Sequence, residues 1–216
     1  MNAFKPTQQQ HWNQSFIRMP DMFGQEPSQP AKAAATLFAQ NEAKTILELG
    51  SGQGRDTLFF AHNGFQVTAL DYAETGVKTI EAKAKHFSMA DNITAMQHDV
   101  RQPLPCKDAS FDACFSHMLY CMALTTDELK KLTGEVHRVL RSGGLHVYTV
   151  RHTGDAHYRQ GNHHGEDMYE TGGYVVHFFD KAKVELLAEG FELLSIDEFE
   201  EGPLPRKLFQ VTLRKL

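Results

Sequence analysis

The sequence predicts an α/β fold: a three-layer αβα, doubly wound sheet of about seven strands, mostly parallel with one antiparallel strand near the C-terminus. Short apolar runs alternate with helix-forming segments, which is typical of parallel strands joined by crossover helices. The predicted parallel strands cover residues 45–49, 65–70, 93–98, 111–117 and 145–150. Residues 191–200 and 207–215 form two more strands, and their short connection through Gly202, Pro203 and Pro205 requires an antiparallel pair.

The helices follow from local signals. Ala31 to Asn41 is alanine-rich and comes after Pro27 and Pro30, which we expect to break the chain. Further helices are predicted over residues 73–87, 126–140 and 181–189, and a leader helix over 11–22. We therefore divide the chain into an N-terminal cap segment, 1–30, and a main domain, 31–216.

Residues 151–177 differ from the rest of the main domain. They are polar, contain glycine and histidine, and include three tyrosines that argue against disorder. Long segments of this kind are usually functional. Because this one leaves the fifth strand at the carboxyl edge of the sheet, we expect a lid or substrate insert.

Composition restricts the class of protein. The net charge of −5 comes with no basic run, which argues against a nucleic-acid partner. Residues 1–10 are polar and do not resemble a signal peptide, and no apolar run is long enough to cross a membrane. Three cysteines without a C-x-x-C pair indicate a reducing, cytoplasmic location. We expect a monomer or homodimer that acts on a small molecule.

A glycine-rich turn follows the first strand. Its spacing, Gly50-x-Gly52-x-Gly54, is not that of a dinucleotide-binding turn, because Arg55 occupies the place of the third glycine. A P-loop is also excluded, since no Gly-Lys-Ser/Thr follows. Glu48 would repel a pyrophosphate but suits an ammonium or a sulfonium. Asp71, at the end of the second strand, suits ribose hydroxyls.

These residues resemble motif I (E/D-x-G-x-G-x-G) of the class I S-adenosylmethionine (SAM)-dependent methyltransferases. Residues 135–144 also resemble that family's hRvLkpGG segment. The Gly-x-Gly-Arg-Asp of residues 52–56 and the stretch 200–206 are similar to the small-molecule branch, near the tellurite-resistance and thiopurine-type enzymes. The resemblance implies a Rossmann-like fold and SAM as cofactor, with S-adenosylhomocysteine as product. The cofactor-binding positions it implies are Glu48, Gly50, Ser51, Gly52, Gly54, Arg55, Asp71, Tyr72, Asp99, Val100 and Ser116.

Catalytic candidates follow the fourth strand, where ligands of an open α/β sheet bind. His117 is the first candidate base and Tyr120 the second, although a hydrogen-bonded core or rim histidine remains a serious alternative for His117.

Candidate substrate contacts are Trp12, Arg151, His152 and Tyr158. An aromatic residue at this helical spacing can also serve packing of the leader helix, so packing is the alternative role of Trp12. The histidines of the insert lack the compact spacing of a metal site, so no metal is expected.

The function this predicts is methyl transfer from SAM to a small-molecule nucleophile: a thiol or chalcogen, an amine or an oxygen. Two alternatives keep the fold: a methyltransferase acting on a macromolecule and a non-catalytic nucleoside-binding protein. A nicotinamide oxidoreductase is disfavoured by Glu48 and by the glycine spacing.

Overall fold

A computed structural model describes residues 7–202 and 206–216. The first six residues of the expected cap segment, which are also most of the polar stretch 1–10, lie outside the described residues. So do Pro203, Leu204 and Pro205, which include both prolines of the expected strand connection.

The chain forms six helices and ten strands within the described residues. The helices are α1 (Gln8–Arg18), α2 (Gln29–Gln40), α3 (Arg55–His62), α4 (Glu74–His86), α5 (Thr126–Val139) and α6 (Lys181–Leu187). The strands are β1 (Thr45–Leu49), β2 (Gln66–Asp71), β3 (Ile93–Gln97), β4 (Phe111–His117), β5 (Leu140–Arg151), β6 (Asn162–His163), β7 (Met168–Thr171), β8 (Tyr174–His177), β9 (Phe191–Glu201) and β10 (Arg206–Lys215).

The main sheet has seven strands in the order β3-β2-β1-β4-β5-β10-β9. Strand β10 runs antiparallel to both β5 and β9, and the other neighbouring pairs are parallel. Apolar residues of α2, α3 and α4 pack on one face, and those of α5 and α6 pack on the other. The predicted three-layer, doubly wound fold with one reversed strand is confirmed.

The strand order reverses between β1 and β4, which are direct neighbours although β2 and β3 lie between them in sequence. In open α/β sheets, ligands bind in the crevice beyond the carboxyl ends of the strands at such a reversal. The fold therefore places a binding site after Leu49 and His117.

Three local features differ from the sequence prediction. Helix α2 begins at Gln29 with Ser28 as its N-cap, because Pro30 fits the first turn, where no helical N–H is needed. Strand β5 starts at Leu140, immediately after α5 and earlier than expected. The insert contains a three-stranded sheet, β6-β7-β8, whose strands of two to four residues are too short to show a clear alternation.

No helix among the described residues is long and apolar enough to cross a bilayer.

Candidate active site at the carboxyl edge of the sheet

A cavity of about 910 Å³ opens at the carboxyl ends of β1, β2 and β4. Helix α1, the insert and the end of β9 complete its walls. Twelve residues selected from the sequence line this cavity: Trp12, Glu48, Gly50, Ser51, Gly52, Arg55, Asp71, Tyr72, Asp99, Val100, His117 and Arg151. Five others do not: Gly54, Ser116, Tyr120, His152 and Tyr158.

The glycine turn curls back over the end of β2. Gly50 has a φ of +73°, and its backbone N–H donates to the carbonyl of Leu70 at 2.8 Å. A Cβ at Gly50 would lie 2.8 Å from the Cβ of Leu119, so both conformation and space require glycine.

Gly76 in α4 supports the same turn from behind, since a Cβ there would lie 2.3 Å from the carbonyl oxygen of Gly52. Gly54 is the N-cap of α3 and faces Ile80 instead of the cavity.

Glu48 places a buried carboxyl beside the turn. Glu48 is only 3% exposed, and the hydroxyl of Thr57 donates a hydrogen bond to its Oε2 at 2.5 Å. Burial, reinforced by the nearby Asp56 carboxylate, raises the pKa of Glu48 well above its usual range. A cation bound in the cavity would restore the charged form of Glu48.

Asp71 holds the turn and faces the cavity. Its Oδ2 accepts the N–H of Gly52 and its Oδ1 accepts that of Ala73, each at 2.8 Å. Burial raises the pKa of Asp71 to about 6, and the two backbone hydrogen bonds act in the opposite direction. Each oxygen retains a second lone pair, so the carboxylate can still accept bonds from a diol.

Asp99 and Val100 line the cavity in the loop after β3. The side chain of Arg101 forms an ion pair with Asp99 at 2.5 Å, and these hydrogen bonds lower the pKa of Asp99. The carboxylate of Asp99 is thus already shared with Arg101, unlike the carboxylate of Asp71.

His117 lies at the end of β4 between two polar side chains. Its Nδ1 is 2.8 Å from the hydroxyl of Thr149, and its Nε2 is 3.4 Å from Oε1 of Glu201. The hydrogen bond from His117 is the main cause of the lowered pKa of Glu201. Thr149 and Glu201 were not selected from the sequence, because nothing local links them to residue 117.

Tyr120 is not placed to act on a ligand in the cavity. It is fully buried, and its ring stacks on Tyr148 with centroids 4.6 Å apart. Burial raises its pKa strongly, so the phenol keeps its proton. Ser116 is also fully buried, because neighbouring residues of a strand point to opposite faces and His117 is the one that faces the cavity.

His152 and Tyr158 are engaged elsewhere. The ring of His152 stacks on Phe209 at 4.5 Å, and the hydroxyl of Tyr158 donates to Asp167 at 2.8 Å. Their expected direct contact with a substrate therefore has no support in the geometry.

Helix α1 and the insert meet over the cavity. Trp12 packs between Tyr174 and Phe16, at centroid distances of 4.8 and 5.5 Å. The hydroxyls of Ser15 and Tyr174 are 2.8 Å apart, and the side chain of Gln8 donates to the carbonyl of Gly173 at 2.8 Å. Trp12 thus serves packing and lines the cavity at once.

Comparison with known proteins agrees with this geometry. Residues 46–144 match the family model of a methyltransferase domain. Phosphoethanolamine N-methyltransferase 1 of Triticum aestivum is 39% identical over 106 residues, which are 49% of this chain but only 20% of the wheat protein.

Two solved structures share the fold over nearly the whole chain. The 1,6-didemethyltoxoflavin-N1-methyltransferase of Burkholderia thailandensis, solved with S-adenosylhomocysteine, has a TM-score of 0.75 at 18% identity, covering 96% of this chain and 86% of its own. TehB from Haemophilus influenzae has a TM-score of 0.70 at 15% identity, covering 95% of this chain and 67% of its own. Residues 46–144 are therefore similar to a methyltransferase domain, and the fold of nearly the whole chain is shared with these two solved methyltransferases.

Proposed function

We propose that this protein transfers a methyl group from SAM to a small-molecule nucleophile. The observation that carries the proposal is the pair of buried carboxyls, Glu48 and Asp71, on either side of the glycine turn in one cavity. The match of residues 46–144 to a methyltransferase domain supports it independently.

The residues present fit this cofactor. Glu48 is a buried acid whose charged form needs a cation, and it lines a cavity large enough for a nucleoside and a second ligand. Asp71 would accept the ribose hydroxyls, and the resemblance assigns Asp99 and Val100 to the adenine. When bound, SAM supplies a methyl group whose carbon is already electrophilic, because it is bonded to a positively charged sulfur.

The protein's own contribution is mainly alignment and exclusion of water. Holding two reactants in line can contribute ~7–11 kcal/mol to lowering the barrier. Residues of helix α1 and of the insert line the cavity, which supports a role in excluding water for the cap segment 1–30 and the lid 151–177. Neither Tyr120 nor Ser116 belongs to the proposed site.

His117 would accept the proton that an acceptor loses when its nucleophilic atom bonds to the methyl group. The carboxylate of Glu201 would stabilise the resulting imidazolium, because it lies next to Nε2 of His117. A thiolate acceptor, already ionised, would need this help least.

The expected setting is cytoplasmic, supported by three cysteines that are all free. A monomer or homodimer acting on a small molecule without nucleic acid is in keeping with the net charge of −5.

Calorimetry with SAM, S-adenosylhomocysteine and NAD tests the cofactor, and a screen with methyl-labelled SAM against thiols, chalcogenides, amines and carboxylic acids tests the reaction. We expect micromolar binding of both adenosyl ligands and labelling of at least one class of acceptor. Binding of NAD without SAM would contradict the proposal. Tight SAM binding with no labelled product in any class would favour a silent binder or a macromolecular acceptor.

A further inference from the structure

The part of the cavity lined by α1, the end of β4, the insert and the end of β9 is called the acceptor end here. It contains a cation, Arg151, that is fixed in place by a buried acid, Asp155. The side chain of Arg151 is only 8% exposed, and that of Asp155 is 1% exposed. The Nε of Arg151 donates to Oδ2 of Asp155 at 3.1 Å, and Nη2 donates to Oδ1. Asp155 also accepts the backbone N–H groups of His157 and Lys207, so the acid cannot turn away.

One edge of this guanidinium is left without a partner. Within the described chain, Nη1 of Arg151 makes no hydrogen bond, although it is not sealed from solvent. Arg151 lines the cavity whereas Asp155 does not, so the pair presents its positive end to the cavity. A bidentate arginine that is already held rigidly loses little conformational freedom when it binds a second anion.

His157 extends the same positive end. Nη2 of Arg151 is 3.0 Å from Nδ1 of His157, and a guanidinium can only donate. The neutral imidazole therefore accepts at Nδ1 and carries its proton on Nε2, for which the described residues provide no acceptor. His157 lines the cavity as well, so it offers an N–H donor beside the free edge of Arg151.

The acids that line the cavity are engaged by protein groups. Each accepts a hydrogen bond or forms an ion pair with a described residue: Glu48 with Thr57, Asp56 with Ser28, Asp71 with Gly52, Asp99 with Arg101, and Glu201 with His117. Two nitrogens with no recorded partner among the described residues, Nη1 of Arg151 and Nε2 of His157, are donors. A ligand that satisfies them must bring acceptor oxygens.

We propose that the methyl acceptor carries an anionic group, a carboxylate or a phosphate, bound by Arg151 and His157. This inference rests on the proposed function and narrows its substrate class. Trp12, Tyr169, Tyr174 and Phe178 line the same cavity, so the rest of such a ligand would meet aromatic rings.

Three probes of similar shape test the inference: benzoate, phenyl phosphate and the neutral benzamide. Each is titrated calorimetrically into protein saturated with S-adenosylhomocysteine. We expect one of the two anions to bind at least tenfold more tightly than benzamide, and the stronger of them identifies the group. Equal binding of all three probes, or preference for benzamide, would overturn the inference.

Two variants locate the binding. Arg151→Met should reduce the preference for the anion to less than threefold, whereas Arg138→Met, which removes an ion-paired arginine outside the cavity, should leave it unchanged. Because Arg151→Met leaves Asp155 buried without its cation, its folding must be checked by circular dichroism. His157→Leu keeps the ion pair and should weaken anion binding at least threefold. Unchanged anion binding in His157→Leu would contradict the proposal even if Arg151→Met does not fold.

Failure of the inference is distinguishable from failure of the proposed function. If S-adenosylhomocysteine binds but no anion is preferred, the function stands and the inference falls. If S-adenosylhomocysteine does not bind, the function falls, and the same titrations on the unliganded protein still decide the anion site. Weakened binding of S-adenosylhomocysteine in Arg151→Met, with benzoate and phenyl phosphate unaffected, would assign the cation to the cofactor and overturn the inference.

Discussion

The two ends of the cavity are built in different ways. The centre of the donor end comes from two short segments, residues 48–57 and 71–73, in which Asp71 bonds to the N–H groups of Gly52 and Ala73, and Glu48 bonds to Thr57. Its outer side chains, those of Gln53, Arg55 and Asp56, bond to residues 16–28. The acceptor end is assembled from α1, the end of β4, the insert and the end of β9, which are far apart in sequence. The donor end is thus a local structure on the sheet, whereas the acceptor end depends on the whole chain packing correctly. Substitutions at one end of the cavity should therefore change the function of that end and leave the other end's function unchanged.

The largest expected effect concerns the acceptor end. For an acceptor that must lose a proton, His117→Ala should lower kcat about 10²–10⁴-fold, the usual contribution of a general base, with the Kd for S-adenosylhomocysteine unchanged. Steady-state kinetics and calorimetry on the same sample measure both. A parallel loss of affinity would mean that His117 supports the structure of both ends.

Glu201→Gln sharpens this test, because it removes the charge next to Nε2 of His117 while keeping a side chain of the same size. We expect kcat to fall about tenfold, which corresponds to about 1.4 kcal/mol of lost stabilisation. Glu200→Gln is the matched control, since Glu200 is exposed and does not line the cavity. Equal effects of the two variants would rule out a specific role for Glu201.

At the donor end, Gly76→Ala should push on the carbonyl of Gly52 from behind. Forcing a methyl group into a packed site typically costs about 1–3 kcal/mol, and we expect binding of S-adenosylhomocysteine to weaken at least tenfold. Calorimetry and chemical denaturation measure the two effects.

Gly134→Ala is the control for Gly76→Ala, a helical glycine in α5 with nothing near the added Cβ. It should bind like wild type and gain up to about 1 kcal/mol in unfolding free energy. Wild-type binding by Gly76→Ala would show that the turn does not depend on this contact.

The raised pKa of Asp71, about 6, predicts a pH dependence confined to the donor end. A ribose hydroxyl stabilises the charged carboxylate, so the pKa of Asp71 falls on binding. Affinity for S-adenosylhomocysteine should then decrease as pH falls below about 6, by up to about tenfold per pH unit.

In the unliganded protein the folded state binds the extra proton, so the contribution of Asp71 to stability declines as pH rises from about 4 to about 6.

Calorimetry between pH 5 and 8 tests this prediction, and Asp71→Asn should remove the part of the dependence that falls near pH 6, leaving the part contributed by Glu48, whose pKa is also raised. Asp112→Asn, an acid that does not line the cavity, should retain it. A wild-type profile that is flat across this range would show that Asp71 does not change its charge on binding.

The smallest effect is expected for Trp12→Leu, which removes one ring from the cluster with Tyr174 and Phe16. An aromatic pair contributes about 0.5–1.5 kcal/mol, so KM for the acceptor should rise roughly two- to tenfold with cofactor affinity preserved. Ile17→Ala, at a residue 66% exposed on the same helix, is the control. An unchanged KM would assign Trp12 to packing alone.

The difference between the donor end and the acceptor end also explains which parts of the site could be predicted from the sequence. Gly50 and Asp71 were recognisable because a tight turn and a strand-end acid leave local signatures, and the parallel strands followed from their apolar runs. Glu201, Thr149 and His157 were not, since nothing in a neighbouring stretch of sequence brings them to the cavity.

Tyr120 and Ser116 show the opposite error. Tyr120 follows β4 and Ser116 precedes its last residue, yet both are fully buried, and Tyr120 packs in the core that includes residues of α5. Position along a strand therefore located the site, but side-chain direction had to come from the structure.

A crystal structure with S-adenosylhomocysteine tests the central claim most directly. We expect the amino-acid part of the ligand near Glu48 and the turn at Gly50–Gly52, with the ribose hydroxyls within hydrogen-bonding distance of the Asp71 carboxylate. A ligand bound away from that turn, or a ribose held by a different acid, would contradict the account.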